Sequence, residues 1–146
     1  MRNLQSKIQD LSVHSKDLSE SHGEVFTPFP LINEMLDSLP KEVFSDPKKT
    51  FFDPSAGKGN MPAVIVERLM KGLKEIFPDE KKRYKHIMEK QIFMAEFQRT
   101  SCEDIERIFN PDKKLKLNLY CGDTPAMPDD FFDLPFNERI ETYRKE

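Results

Sequence analysis

One stretch limits this chain more than any other: Thr50-Phe51-Phe52-Asp53-Pro54-Ser55-Ala56-Gly57-Lys58-Gly59-Asn60. A short apolar run closes on an acid, and a proline and two spaced glycines follow at once. Met61 to Phe77 then reads as a single amphipathic helix, with Val66, Leu69, Met70, Leu73 and Phe77 on one face. Strand, glycine turn and helix form the unit that brings backbone close to a small ligand. Glycine is needed there because a Cβ blocks close approach and because tight turns require positive φ. Asn60 is placed to cap the helix, and Gly72 falls on or near its polar side.

Two more short runs repeat the pattern. Gln91 to Phe97 reads as a buried strand closing on Glu96. Leu115, Leu117 and Leu119 alternate with Lys116 and Asn118, a period of two that continues to Tyr120-Cys121 and stops at Gly122-Asp123-Thr124-Pro125. The helix between them is capped by Thr100 or Ser101 and turns Ile105, Ile108 and Phe109 inward. Asp53, Glu96 and Asp123 thus each close a strand. In an open parallel sheet, ligands bind at the carboxyl ends of the strands, so the three acids converge on one crevice with room for a nucleoside. Glu96 stands where a ribose-binding acid belongs. The glycine turn lacks the Lys-Ser/Thr pair of a phosphate-binding P-loop and is not GxGxxG. An acid in front of it suits a cation better than a pyrophosphate, such as a sulfonium-bearing amino acid with an ammonium group.

The rest of the chain frames this unit. Residues 1–22 read as a polar N-terminal helical arm with a weak Leu4, Ile8, Leu11 stripe. Gly23 to Pro30 is extended, because residues before proline avoid the α region. It feeds a helix with Leu31, Ile32, Met35, Leu36 and Leu39 on its stripe, which a Thr27 cap and a hydrophobic staple explain without any ligand. Residues 40–49 form a linker. Lys81, Lys82, Arg83, Lys85 and Lys90 mark a solvated helix face or, more sharply, a phosphate-contacting one. His14 and His22 have no neighbours to complete a metal site, so no metal is expected. The 146 residues suffice for one modest core, and a net charge of -3 excludes a generally basic nucleic-acid binder. No apolar run approaches membrane-spanning length, and the start of the chain is polar throughout. Neither a membrane nor a secretory leader is expected, and Cys102 and Cys121 read as reduced structural thiols in a cytoplasmic protein.

The motifs resemble those of a known family. Asp53-Pro54-Ser55-Ala56-Gly57-Lys58-Gly59-Asn60 is similar to the S-adenosylmethionine loop of N6-adenine DNA methyltransferases of restriction-modification and phage systems. Gly23-Glu24-Val25-Phe26-Thr27-Pro28 resembles their upstream motif, Ala95-Glu96-Phe97 the ribose-acid motif, and Cys121-Gly122-Asp123-Thr124 the adenine-amino motif. All four occur in the family's order over residues 23–125. The resemblance implies an α/β, three-layer, partial Rossmann-like methyltransferase domain over residues 23–146. It implies S-adenosylmethionine as cofactor and DNA as partner. Phe26, Thr27 and Pro28 would line the methionine end. Asp53, with Pro54, Ser55, Gly57, Gly59 and Asn60 around it, would hold the amino-acid part. Glu96 would bind the ribose hydroxyls, Phe97 would pack on the adenine, and Asp123, followed by Thr124, would take the adenine amino group.

Catalysis in this family resides in an Asn/Asp-Pro-Pro-Tyr/Phe motif that grips the flipped base. No such tetrapeptide occurs here. Asp133-Leu134-Pro135-Phe136 is the nearest approximation, which makes Asp133, Pro135 and Phe136 the candidates for a degenerate version. The expectation is therefore a cofactor-binding portion whose catalytic half is missing. The alternative is a catalytically inactive S-adenosylmethionine-binding protein that is regulatory or completed by a partner. Half a sheet leaves an edge open where a fourth strand belongs, so a homo-oligomer or a partner chain is expected to cover it.

Overall fold

The apolar runs form a small parallel sheet. In a computed structural model that describes residues 4–10 and 27–139, Phe51–Asp53 (β1), Ile92–Glu96 (β2) and Asn118–Cys121 (β3) pair in the order β1-β2-β3. The register sets Phe93 between Phe52 and Asn118, and Ala95 beside Tyr120. Both sheet faces are covered, which is why the strands read as near-continuous apolar runs. Phe51, Ile92, Met94 and Leu119 face the larger core. Ala95 and Tyr120 face a smaller cluster closed by Met127, Phe131 and Phe132.

Each crossover carries a helix. A helical segment over residues 4–10 (α1) docks Leu4 and Ile8 into the larger core, and Gln5 bonds the Glu67 carboxylate. The stripe position Leu11 lies outside the described residues. Phe29–Asp37 (α2) precedes a 3-10 turn at Lys41–Phe44, and Asn60–Gly72 (α3) follows β1. Glu80–His86 (α4) runs through a π turn at Ile87–Gln91 into β2. Arg99–Phe109 (α5) joins β2 to β3. On α3, Val66, Leu69 and Met70, with Leu73 at its C-terminal cap, are buried, each side chain contributing about 1.5–3 kcal/mol by leaving water.

Several local expectations change. The position before α2 is Pro28, without a side-chain cap bond, and proline in the first turn replaces the expected Thr27 cap. Asn60 begins α3 rather than capping it, because Gly59 in a left-handed conformation takes the cap position. Gln98, not Thr100 or Ser101, stands before α5. Gly72 is a packing residue: a Cβ there would lie 2.0 Å from the Phe44 carbonyl oxygen. Only Ile32 and Leu36 of the α2 stripe are buried, while Leu31, Met35 and Leu39 are exposed. Arg83 leaves the basic face altogether. It is buried and donates to the carbonyl oxygens of Met70, Phe77 and Pro78.

The largest correction concerns the cysteines, read from sequence as two reduced thiols. The structure joins Cys102 and Cys121 in a disulfide across 19 positions, with Cα atoms 6.3 Å apart. The first turn of α5 packs against the end of β3, and no linear spacing reveals that contact. Among the described residues β1 and β3 each pair on one side only, so residues 127–134 cover a sheet face rather than supplying a fourth strand. Among those residues no helix is long and apolar enough to cross a membrane.

Candidate functional site

The loop from Asp53 to Gly59 is built by short-range bonds. The Asp53 carboxylate accepts from the Ser55 amide at 3.0 Å, turning the chain sharply after β1. The Ala56 amide donates to the Ala95 carbonyl at 3.0 Å, which ties the loop across the sheet to β2. Gly57 and Gly59 have φ of +58° and +93°, values that side-chain-bearing residues rarely adopt. At Gly59 a Cβ would also sit 2.6 Å from the Phe109 ring, so the turn lies directly against α5. At Gly57 a Cβ would meet nothing, because the residue borders open space.

That space is a cavity of about 160 Å³ lined by Thr27, Asp53, Ser55, Gly57, Lys58 and Asn60, with Ile32, Ala56 and Met61. Asn60 donates through Nδ2 to the Thr27 carbonyl at 3.1 Å, joining the segment before α2 to the loop. Its Oδ1 is buried with no hydrogen-bond partner. A buried acceptor without a donor is costly unless a ligand or water supplies one. Burial pushes the Asp53 carboxyl above its ordinary range, against the Ser55 amide, which favours the ionised form. Asp53, with its partly desolvated carboxylate, and Asn60, with its unpartnered Oδ1, thus both line one small cavity.

Glu96 links this cavity to a second one. Its carboxylate accepts from the Gly57 amide through Oε1 and from the Gln98 amide through Oε2, both at 2.9 Å. The Glu96 carbonyl accepts from Gly122 at 2.9 Å. One residue therefore fixes the ends of all three strands relative to one another. Beyond it lies a more open cavity of about 500 Å³ lined by Phe97, Arg99, Tyr120, Cys121, Gly122, Asp123 and Ala126. The Phe97 ring is 70% exposed, so it is a flat apolar surface at the cavity wall rather than core. Thr124 closes the arrangement by donating to the Pro54 carbonyl at 2.7 Å.

The structure brings Thr27, Asp53, Ser55, Gly57 and Asn60 to the first cavity and Phe97 and Asp123 to the second, with Glu96 between them. Pro54 and Thr124 join the two loops, and Gly59 supports the turn from behind. Phe26 lies outside the described residues, as do His14 and His22. The Asp133 to Phe136 segment goes elsewhere. Phe136 lines a slot with Leu115, Leu117 and Arg139 on the flank of β3, where burial disfavours the charged form of Arg139 and Asp133 partly offsets it. Two site residues were not singled out from sequence. Lys58 is buried, and where burial raises the Asp104 carboxyl the Lys58 charge draws it partly back. Arg99 opens α5 beside Phe97. A lysine between two glycines was the available signal for the first. Among the described residues no cluster of metal-ligating side chains is present.

No family model matches the chain. Over 75 residues it is 44% identical to an uncharacterized adenine-specific methylase of Mycoplasma pneumoniae. The match covers 49% of this chain and 18% of that relative, so the chain spans less than a fifth of the relative's length in the matched region.

Proposed function

We propose that this chain binds S-adenosylmethionine through a partial Rossmann-like methyltransferase domain and serves the methylation of adenine N6 in DNA, in restriction-modification or phage DNA modification. The observation that carries the proposal is the placement of Glu96, which bonds the Gly57 loop and stands between two cavities of opposite character. The partial likeness to an adenine-specific methylase supports the same class.

The residues present fit the cofactor. The Asp53 carboxylate and the unpartnered Asn60 Oδ1 accept hydrogen bonds from an ammonium group, and a cation relieves both. Glu96 accepts from vicinal hydroxyls, and a carboxylate there disfavours a 2′-phosphate. The exposed Phe97 ring gives an adenine a surface to stack on, and Asp123 accepts from its exocyclic amine. When bound, S-adenosylmethionine supplies an electrophilic methyl group. The protein's own part is to orient it, with Gly57 keeping the wall free of a Cβ.

A second reading rests on β1, which among the described residues is bonded on one side only, with Phe52 47% exposed. It takes the chain as a cofactor-binding protein completed by a partner that brings the base-gripping residues. Amide chemical-shift mapping tests cofactor binding. Added S-adenosylmethionine should move Gly57, Ser55, Gln98, Gly122 and Asp123 together, and shifts confined to other residues would refute the site. Transfer of labelled methyl groups to unmethylated duplex DNA separates the two readings. The chain alone is expected to show no turnover, and turnover would bring Asp133 to Phe136 forward as the catalytic segment.

A further inference from the structure

A parallel sheet gathers the starts of its strands on one side, and here each start is preceded by lysines. Lys48 and Lys49 precede β1, Lys90 precedes β2, and Lys113, Lys114 and Lys116 precede β3; all six are exposed. The loops that carry them are stitched together. Gln91 donates through Nε2 to the carbonyls of Asp46 and Lys49 at 3.0 and 2.9 Å. The Lys116 amide donates to Glu89 Oε2 at 2.9 Å, and Asn118 donates to the Glu89 carbonyl at 3.0 Å. The segments 46–49, 89–90 and 112–116 hold these six lysines against three carboxylates, Asp46, Glu89 and Asp112, in a chain of net charge -3. Two of the three carboxylates are already engaged by backbone amides, Asp46 by Lys48 and Glu89 by Lys116.

Lys113 adds an independent observation. Its φ is +56°, the one positive value outside glycine among the described residues. Glycine or asparagine occupies that conformation with less strain, so a lysine is held there at a cost to folding. Such strain at a charged, exposed position points to use of the charge.

We propose that this lysine edge, on the side of the sheet opposite the Asp53–Glu96–Asp123 crevice, binds the phosphate backbone of duplex DNA without reading sequence. The lysines act as point charges on a rigid frame, and neutralising phosphates releases counterions. The choice of duplex DNA among polyanions rests on the proposed function, while the lysine edge itself is independent of the ligand assigned to the crevice. That edge would hold DNA to the protein while leaving the crevice open.

The test is fluorescence anisotropy with a labelled duplex of arbitrary sequence, titrated with the full chain at several salt concentrations. For about four phosphates contacted, affinity should fall about 100-fold between about 50 and 200 mM salt. The pair Lys48→Gln with Lys49→Gln should weaken binding about tenfold or more and flatten the salt slope by about two. Lys113→Asn should raise the melting temperature while weakening binding, a combination that a merely structural lysine would not give. Absence of binding at low salt, an unchanged slope in the lysine variants, or tighter binding to single-stranded RNA of the same length would each overturn the proposal.

Discussion

Replacing Gly59 by alanine tests how the turn is built. Two costs add at this position. A left-handed φ of +93° costs an L-residue about 1–2 kcal/mol. The new Cβ would lie 2.6 Å from Phe109 Cε2 and 3.2 Å from Cζ, and that ring is fully buried, so it has little room to retreat. Overpacking of this kind costs about 1–3 kcal/mol. The total, about 2–5 kcal/mol, is a large share of the stability of a domain this size. Gly57→Ala is the control. Its φ is +58° and its Cβ meets no atom within 4 Å, so only the conformational cost of about 1–2 kcal/mol applies. Urea denaturation followed by circular dichroism should show a midpoint loss for Gly59→Ala of about 1 M or more and a smaller loss for Gly57→Ala. Cofactor affinity should show the reverse ranking among folded protein, because Gly57 borders the cavity and bonds Glu96. Equal stability losses, or a Gly59→Ala loss below about 0.5 kcal/mol, would refute the close contact between turn and helix.

Three further outcomes follow from the same geometry. Burial raises the Asp53 pKa, so its ionisation opposes folding: that contribution favours the fold below the ordinary carboxylate range and is lost as pH rises through the raised value. Cofactor binding needs the ionised form, so affinity should fall as pH drops through the raised value. Asp53→Asn should remove this acid limb without loss of stability at neutral pH, as calorimetry and thermal melts across pH would record. Reducing the Cys102–Cys121 bond releases a loop of 19 positions, which should cost about 3 kcal/mol and lower the melting temperature by about 6–12 °C; an unchanged melt in dithiothreitol would contradict this. Arg83→Lys should lose about 2–3 kcal/mol by equilibrium unfolding, because an ammonium cannot reach the three carbonyls that the guanidinium spans.

The strands, the glycine turn and the acids at the strand ends were legible because their signals are local. Asp53, Gly57 and Gly59 lie within a few residues, and Glu96 and Asp123 close runs whose apolar character is visible in the sequence. What the sequence hid depends on contacts between distant segments. Gly72 looked like a weak spot in a helix, yet the Phe44 backbone leaves no room for a side chain. Arg83 looked like one of several surface cations, yet it bonds the carbonyls that end α3 and precede α4. The cysteine pair forms because α5 folds back against β3. Thr27, Thr100, Ser101 and Asn60 were all good capping residues, but proline and a left-handed glycine set two of those helix starts through backbone conformation alone. Leu115 and Leu117 continued the alternation, but β3 begins only at Asn118, where Ile92 and Phe93 of β2 are within reach.

Calorimetric titration of the full chain with S-adenosylmethionine tests the central claim most directly. The account predicts saturable binding at a single site, abolished by Glu96→Ala and weakened by Asp53→Asn and by Asp123→Ala, with each variant folded by circular dichroism. A well-folded chain that takes up no S-adenosylmethionine at about millimolar concentration, or that binds it equally well without the Glu96 carboxylate, would contradict it.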